Sequence, residues 1–166
     1  MSDYWNKRIA RGHLYYRIAH SLVMQYAPSG TLLDVGGGVH LGCRYLEWYP
    51  HDKTVLDVNG GELDNAAVIQ SDVTHWDTDH RYNVALCLQV LEHLPDPSAI
   101  AAKLRKWAEI VVVSVPYKWA ADRQGQHEHH NLDLGTVSDW FGRQPIESVI
   151  EYGAHKNTSR IIAVFD

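Results

Sequence analysis

The sequence predicts an α/β fold: a seven-stranded, mostly parallel sheet with helices on both faces and a C-terminal antiparallel β-hairpin. Two observations predict the parallel part. Short apolar segments alternate with segments of helical spacing, and each apolar segment is continuous, as in strands buried on both faces of a sheet. A third observation predicts the hairpin, because the polar turn between the last two apolar segments, 145–152 and 159–165, is too short for a crossover helix.

The chain opens with a predicted helix over 4–26, which the Pro-Ser-Gly segment 28–30 ends. Five of its residues fall on one face: Tyr15, Ile18, Ala19, Leu22 and Tyr26. We expect residues 1–30 to form a helical segment that packs on the domain formed by residues 31–166. The length of 166 residues and the hydrophobic content of 45% suit a single core.

A glycine-rich turn follows the first predicted strand, 31–35. The turn is Gly36–Gly38, and an amphipathic helix is predicted after it over 41–49. Glycine lets the backbone approach a ligand that a β-carbon would hold away, and a helix N-terminus carries partial positive charge. The strand, turn and helix therefore indicate a site for a nucleotide or nucleoside.

Acidic residues mark the ends of the next two predicted strands, 53–58 and 67–71. Asp57 lies 21 positions beyond Gly36, a spacing that brings a carboxylate beside the glycine turn, where it can accept the hydroxyl protons of a ribose. The alternative is that Asp57 only caps the turn after its own strand. Asp72 follows the third strand, and its carboxylate can accept a hydrogen bond from the exocyclic amine of an adenine.

Two further strands and two helices complete the pattern. The fourth strand, 82–89, ends at Gln89, and the fifth spans 109–115. Asp96 before Pro97 predicts a helix start, and Gly142 predicts the end of a short helix that begins at residue 134; the first of these helices should bury three residues, Ile100, Leu104 and Trp107. Ligands bind at the carboxyl ends of parallel strands, which is where the predicted fold brings together Gly36, Asp57, Asp72 and Gln89.

Charge and cysteine content limit the function classes. A formal net charge of −5 with interleaved signs argues against non-specific binding of nucleic acid. Cys43 and Cys87 have no metal-binding spacing and are expected to be reduced core residues, which suits a reducing cytoplasm. The N-terminal residues lack a signal-peptide pattern and the longest apolar run, 110–113, is too short to span a bilayer. We expect a cytoplasmic protein that does not bind membranes.

These motifs resemble those of the class I S-adenosylmethionine-dependent methyltransferases, in particular small single-domain, type 11-like members. The resemblance covers 31–165: Leu-Asp-Val-Gly-Gly-Gly at 33–38, the acids after strands two and three, Val-Leu-Glu-His-Leu at 90–94, and the closing hairpin. It implies a Rossmann-like fold, S-adenosyl-L-methionine as cofactor, and methyl transfer by in-line displacement to an unidentified small-molecule or peptide acceptor. One departure is His40, where the family usually has a third glycine.

The resemblance also implies roles for particular residues. Gly36 and Gly38 would pass beneath the methionine part of the cofactor, and Gln89 would lie near the methionine end. Asp57 would bind the ribose, while the adenine would meet residues 72 and 73. The complete predicted cofactor set is Asp34, Gly36, Gly37, Gly38, Asp57, Val58, Asp72, Val73 and Gln89.

Histidines are the candidate catalytic residues. A sulfonium carries an activated methyl group, so the protein must align the acceptor and, where needed, remove its proton. The best base candidates are His93, His127 and His130, the last two in the loop after the fifth strand. The alternative for His93 is a histidine that bonds only to backbone, and for the loop histidines it is solvent exposure.

A metal site is a further alternative. Small-RNA 2′-O-methyltransferases and ubiquinone-pathway O-methyltransferases look similar here and hold a divalent metal with Glu-x-x-Glu-His. In this chain Gln89 replaces the first carboxylate, while Glu92 and His93 remain. Loss of an anionic ligand weakens a magnesium site, although a mixed histidine and carboxylate set suits zinc or manganese. The residues predict no metal, and a metal-assisted RNA 2′-O-methyltransferase stays an alternative.

Two other function classes compete with an active methyltransferase. One is a non-catalytic module or partner subunit that only binds S-adenosylmethionine, which the short length and His40 favour. The other is a nicotinamide-dependent oxidoreductase. His40 and the closing hairpin disfavour it.

Overall fold

The computed structural model describes residues 14–38, 44–120, 127–153 and 158–166. Their strands are β1 Thr31–Val35, β2 Asp52–Asp57, β3 Ala67–Gln70, β4 Tyr82–Leu88, β5 Ala108–Pro116, β6 Glu147–Glu151 and β7 Arg160–Phe165, and their α-helices are α1 Leu14–Tyr26, α2 Pro97–Trp107 and α3 Leu134–Phe141. The strands form one sheet in the order β3-β2-β1-β4-β5-β7-β6. The first five pair in parallel, and β7 pairs antiparallel with β5 and β6, so the predicted sheet and hairpin are confirmed.

Helices cover both faces of the sheet, as predicted. On one face α1 buries Tyr15, Ala19 and Leu22 against apolar residues of the central strands. The predicted start of this helix, 4–13, lies outside the described residues, and the proposed domain boundary at residue 30 stays a prediction. On the other face α2 and α3 pack together over a second apolar cluster that includes Ile100, Leu104, Trp107, Val137 and Phe141.

The predicted helix ends are confirmed by their hydrogen bonds. The side chain of Asp96 accepts from the Ala99 amide at 3.0 Å, with Pro97 in the first turn of α2. Gly142 ends α3 in the left-handed conformation, with φ of 65°. Local sequence thus determines where these helices begin and end.

Over the described residues 44–49, the predicted amphipathic α-helix is wrong in type. The structure has a five-residue 3₁₀ helix, Arg44–Trp48, and residues 39–43 lie outside the described part of the chain. Leu46 and Tyr49 are buried at 0% and 2% exposure. Their spacing of three residues matches the period of a 3₁₀ helix, and Pro50 directly after them prevents a longer helix.

Strand boundaries differ from the predictions by one or two residues. β4 ends at Leu88 because Gln89 has a φ of 60°, which is outside the extended region. β6 begins at Glu147, since Pro145 lacks the N–H that a strand needs. Within the described ranges, no helix combines the length and apolar character that spanning a membrane requires.

Candidate active site

A cavity of about 200 Å³ opens at the carboxyl ends of β1, β2 and β3. The structure brings five of the predicted cofactor residues together in its wall: Gly36, Asp57, Val58, Asp72 and Val73. The remaining wall residues are Val35, Leu56, Ser71, Val90 and Leu94. The strand ends therefore converge as the sequence predicted.

The glycine turn adopts a backbone conformation that side chains disfavour. Gly36 and Gly38 have φ of 71° and 72°, in the left-handed region that glycine enters without steric cost. A β-carbon on Gly36 would also lie 2.5 Å from Cγ2 of Val90, across the cavity wall. The Gly36 amide donates to the Leu56 carbonyl at 2.8 Å, which holds the turn against β2.

Asp57 connects the glycine turn with the end of β2. Its Oδ2 accepts from the Gly38 amide at 3.0 Å, and its Oδ1 accepts from the amide and side chain of Asn59 at 2.8 and 3.0 Å. The predicted position of Asp57 beside the glycine turn is confirmed, while its binding of a ribose stays a prediction. The carboxylate caps its own turn and also lies beside the glycine turn in the cavity wall.

Asp72 places a carboxylate at the rim of the cavity. Its Oδ1 accepts from the amide and hydroxyl of Thr74 at 2.8 and 2.7 Å. These bonds, and to a smaller extent the charges of His75 and Lys103, hold the pKa of Asp72 below its ordinary value. The exposed side chain is thus ionised near neutral pH and suited to accept a hydrogen bond from a ligand.

Asp34 lies beneath the glycine turn and not in the cavity wall. It is 1% exposed and accepts a hydrogen bond from the Tyr45 hydroxyl. A β-carbon on Gly37 would collide with the Asp34 carboxylate. Glycine at position 37 therefore allows Asp34 to lie directly beneath the turn. Burial raises the pKa of Asp34 to about 7, with a further increase from the charge of Asp57 and a decrease from the Tyr45 hydrogen bond.

Gln89 lies at the predicted strand end, but its side chain is engaged away from the cavity. Its Nε2 donates to Ser114 Oγ at 3.1 Å, and its Oε1 accepts from Arg160 Nε at 3.3 Å. Arg160 is 6% exposed, and its guanidinium lies 4.6 Å from the ring centre of Tyr15 and 5.4 Å from that of Trp119. Sequence analysis missed this buried cation because it lies on the last strand, 71 positions beyond Gln89.

The candidate catalytic histidines gather beside the cavity. The Glu92 carbonyl accepts from the amides of Glu128 and His129 at 2.9 and 3.1 Å, which brings the later loop to the end of β4. The rings of His93 and His127 are 4.6 Å apart. Possible ligand atoms of Glu92, His93 and His127 all lie within 4.8 Å of one another, and Glu92 is fully buried, so this group can hold a metal ion.

The other two loop histidines differ in role. The ring of His130 is 6.2 Å from that of His127, and its Nδ1 is buried with no hydrogen-bond partner in the part of the chain that the structure describes. His129 Nε2 bonds to the Leu94 carbonyl at 3.0 Å and its ring meets Trp140 edge-on. His129 therefore stabilises the loop, while His127 and His130 are partly buried beside His93.

Several residues that build the site have little or no local signal in the sequence. Val90 and Leu94 form the apolar wall, and their positions on either side of the Glu-His pair are the only sequence signal for them. Tyr45 could not be assigned because the helix around it was mispredicted. His40, the departure from the family pattern, lies outside the described residues.

Comparison with known proteins agrees with this geometry. Residues 8–153 match the model of a methyltransferase domain family. The chain belongs to this methyltransferase family, and the class predicted from the sequence, an S-adenosylmethionine-dependent methyltransferase enzyme, is confirmed. Membership also argues against the nicotinamide-dependent oxidoreductase.

Solved structures share the fold at low sequence identity. A 1,6-didemethyltoxoflavin-N1-methyltransferase of Burkholderia thailandensis, with 1,6-didemethyltoxoflavin and S-adenosylhomocysteine bound, is 14% identical over 96% of this chain and 80% of its own, with a TM-score of 0.74. The N-methyltransferase NodS of Bradyrhizobium japonicum WM9 in complex with S-adenosylhomocysteine is 17% identical over 90% and 85%, with a TM-score of 0.68. The DhpI complex with S-adenosylhomocysteine is 16% identical over 97% and 92%, with a TM-score of 0.63. No curated protein matches the chain.

The raised pKa of Asp34 predicts a pH-dependent stability. The folded state holds the Asp34 proton up to about pH 7, whereas the unfolded chain releases it near 3.8. Stability therefore falls as pH rises through this window, by roughly 2 to 4 kcal/mol between pH 4 and 8. Asp34→Asn keeps an acceptor for Tyr45 without the charge, so urea unfolding should show a smaller loss for this variant. Parallel pH profiles for the two proteins would contradict the assignment.

Proposed function

We propose that this chain transfers the methyl group of S-adenosylmethionine by in-line displacement to a small-molecule or peptide acceptor in the cytoplasm. The observation that carries the proposal is the cavity of about 200 Å³ where the glycine turn meets the carboxylates of Asp57 and Asp72. The 1,6-didemethyltoxoflavin bound to one structural neighbour favours a small molecule among these acceptors. The buried free thiol of Cys87 supports a reducing compartment.

The cavity walls suit adenosine. Asp57 would bind the ribose hydroxyls, because carboxylate oxygens accept hydrogen bonds and this one lies beside the glycine turn. Asp72 would accept the exocyclic amine of the adenine, with Val73 against the ring. Val58 is 59% exposed although it is apolar, and a bound ring would cover it.

The methionine part would extend from the glycine turn toward the end of β4. Gly36, Gly37 and Gly38 would present their backbone to it. Gly36 leaves space on the cavity side, where a β-carbon would approach Val90, whereas the absence of a side chain on Gly37 makes room for Asp34 beneath the turn. Gln89 would contribute its backbone, because Ser114 and Arg160 occupy its side-chain amide. Asp34 would act from beneath the turn, where it sets the turn's shape.

Catalysis would rest mainly on alignment of the acceptor behind the methyl group. The bound cofactor supplies an activated methyl on a positively charged sulfur. The chain's own residues hold the acceptor in line, exclude water with apolar and aromatic side chains, and accept the acceptor's proton at a histidine nitrogen. His93, His127 and His130 are the candidates for this base, since they gather beside the cavity wall formed by Val90 and Leu94.

Asp57→Ala should weaken binding of S-adenosylhomocysteine at least tenfold, because it removes the charged acceptor for the ribose hydroxyls and the hydrogen bond from the Gly38 amide to that carboxylate. Isothermal titration calorimetry measures the affinity. Asp52→Ala, an exposed acid at the other end of the same strand, is the matched control and should bind as the wild type does. Equal affinities for Asp57→Ala and the wild type would refute the assigned cavity.

Replacement of the base should impair transfer and not cofactor binding. We expect His127→Asn or His93→Asn to slow methyl transfer from labelled S-adenosylmethionine to acceptors in a cell extract by about 10² to 10⁴-fold. Their affinities for S-adenosylhomocysteine should stay within about threefold of wild type, because neither residue lines the cavity. His80→Asn, an exposed histidine that contacts Tyr82, is the control. Undiminished transfer in both variants and in His130→Asn would exclude a histidine base.

A second candidate is metal-assisted transfer to a hydroxyl group, as in the RNA 2′-O-methyltransferases. The specific observation for it is the group Glu92, His93 and His127, with ligand atoms within 4.8 Å of one another. One carboxylate and two imidazoles suit zinc or manganese better than magnesium. Glu92, His93 and His127 would hold the ion, its charge would lower the pKa of an acceptor hydroxyl, and His130, whose ring lies beside that of His127, would accept the proton.

Metal analysis decides between the two candidates. If the group holds an ion, dialysed protein incubated with zinc or manganese should retain about one equivalent per chain. Glu92→Gln should lose that ion, whereas His75→Ala, an exposed histidine outside the group, should keep it. Chelator should then abolish transfer. Absence of a stoichiometric ion together with full transfer in chelator would leave the metal-free mechanism.

A further inference from the structure

The ammonium group of Lys103 is surrounded by backbone carbonyls. Lys103 lies on α2, and its Nζ donates to the carbonyl oxygens of Val73, Thr74 and Trp76 at 3.2, 2.8 and 2.9 Å. An ammonium group has three N–H donors and can satisfy one acceptor with each. All three are used on a single turn, residues 72–76.

The turn that Lys103 holds is the one that carries Asp72 at the cavity rim. The Asp72 carbonyl accepts from the amides of His75 and Trp76, each at 3.0 Å, and its carboxylate accepts from Thr74. The orientation of the carboxylate therefore depends on the conformation of residues 72–76. Three carbonyl dipoles point toward one spot in this conformation, and their mutual repulsion needs a cation between them.

A separate contact fixes the segment that follows. Lys106 Nζ and Trp107 Nε1, also on α2, bind the carboxylate of Asp77 at 2.8 and 2.7 Å. Trp76 packs edge-on against Trp107, with 4.7 Å between the ring centres. Asp77 is not part of the cavity wall. Lys106 is therefore a matched control for Lys103. It has the same side chain and lies on the same helix, but its ammonium group binds Asp77 and not the carbonyls of the Asp72 turn.

We infer that Lys103 is a positioning residue that sets the adenine selectivity of the cofactor site, by holding the turn that presents Asp72 and Val73. The inference rests on the proposed function, which places the adenine against these two residues. A carboxylate held at this position accepts a hydrogen bond from an exocyclic amine and repels the carbonyl of a 6-oxopurine. If the turn relaxes, the carboxylate moves. Both its hydrogen bond with the amine of adenine and its repulsion of the carbonyl of a 6-oxopurine then weaken.

The test compares two ligands that differ at one position of the purine: S-adenosylhomocysteine and S-inosylhomocysteine. Calorimetry on the wild type should show a clear preference for the adenine compound. Lys103→Met, which keeps the length and apolar stem of the side chain, should reduce the ratio of the two affinities about tenfold. Lys106→Met should keep the wild-type ratio, even if thermal unfolding shows a similar loss of stability in both variants.

A second variant covers the case in which Lys103→Met does not fold. Lys103→Gln can still donate two hydrogen bonds to the turn without a charge, so its ratio should lie between those of the wild type and Lys103→Met. An unchanged ratio in a folded variant at position 103 would overturn the inference. Failure of the wild type to bind either ligand would instead overturn the proposed function, so the two failures are distinguishable.

Discussion

The parallel pairing of β1 with both β2 and β4 is the constraint on which the site depends. Val35 is in register with Leu56 on one side and with Cys87 on the other. The adjacent strands β2, β1 and β4 therefore all end on the same side of the sheet. As a result, the glycine turn, Asp57 and Gln89 become neighbours. Backbone hydrogen bonds between the strands set this register, so strand pairing fixes the positions of the polar groups.

Around the strand ends that form the site, the fold buries ionisable groups that solvent would otherwise hydrate. Asp34 and Glu92 are almost inaccessible, and so is Arg160. Each has a neighbour that reduces the cost of burial: the Tyr45 hydroxyl for Asp34, His93 at 3.9 Å for Glu92, and two aromatic rings for Arg160. Asp34 lies against the glycine turn, and the Glu92 backbone carbonyl binds the histidine loop, while the cavity itself is lined mostly by apolar side chains.

Irregular segments around the cavity are attached to regular elements by a few specific contacts. The Glu92 carbonyl holds the histidine loop, and Lys103 holds the turn after β3. Both attachments use backbone carbonyls, which remain available at turns because no ladder occupies them. α2 begins shortly after Leu94 and carries Lys103 about two turns later, so one helix connects the segment that carries Leu94 with the turn that carries Val73, and both residues line the cavity.

The sequence by itself determined the strands, the helix caps at Asp96 and Gly142, and the acids at the strand ends, because these follow from hydrophobic continuity and local hydrogen bonds. It did not determine the 3₁₀ helix around Leu46. The apolar spacing there indicated an α-helix, but the segment is short and buries two residues three positions apart, Leu46 and Tyr49. Tertiary structure alone decided that Gln89 would meet a residue 71 positions away and Lys103 a turn about 30 positions back. Contacts of this range depend on how whole elements pack, and no local pattern encodes them.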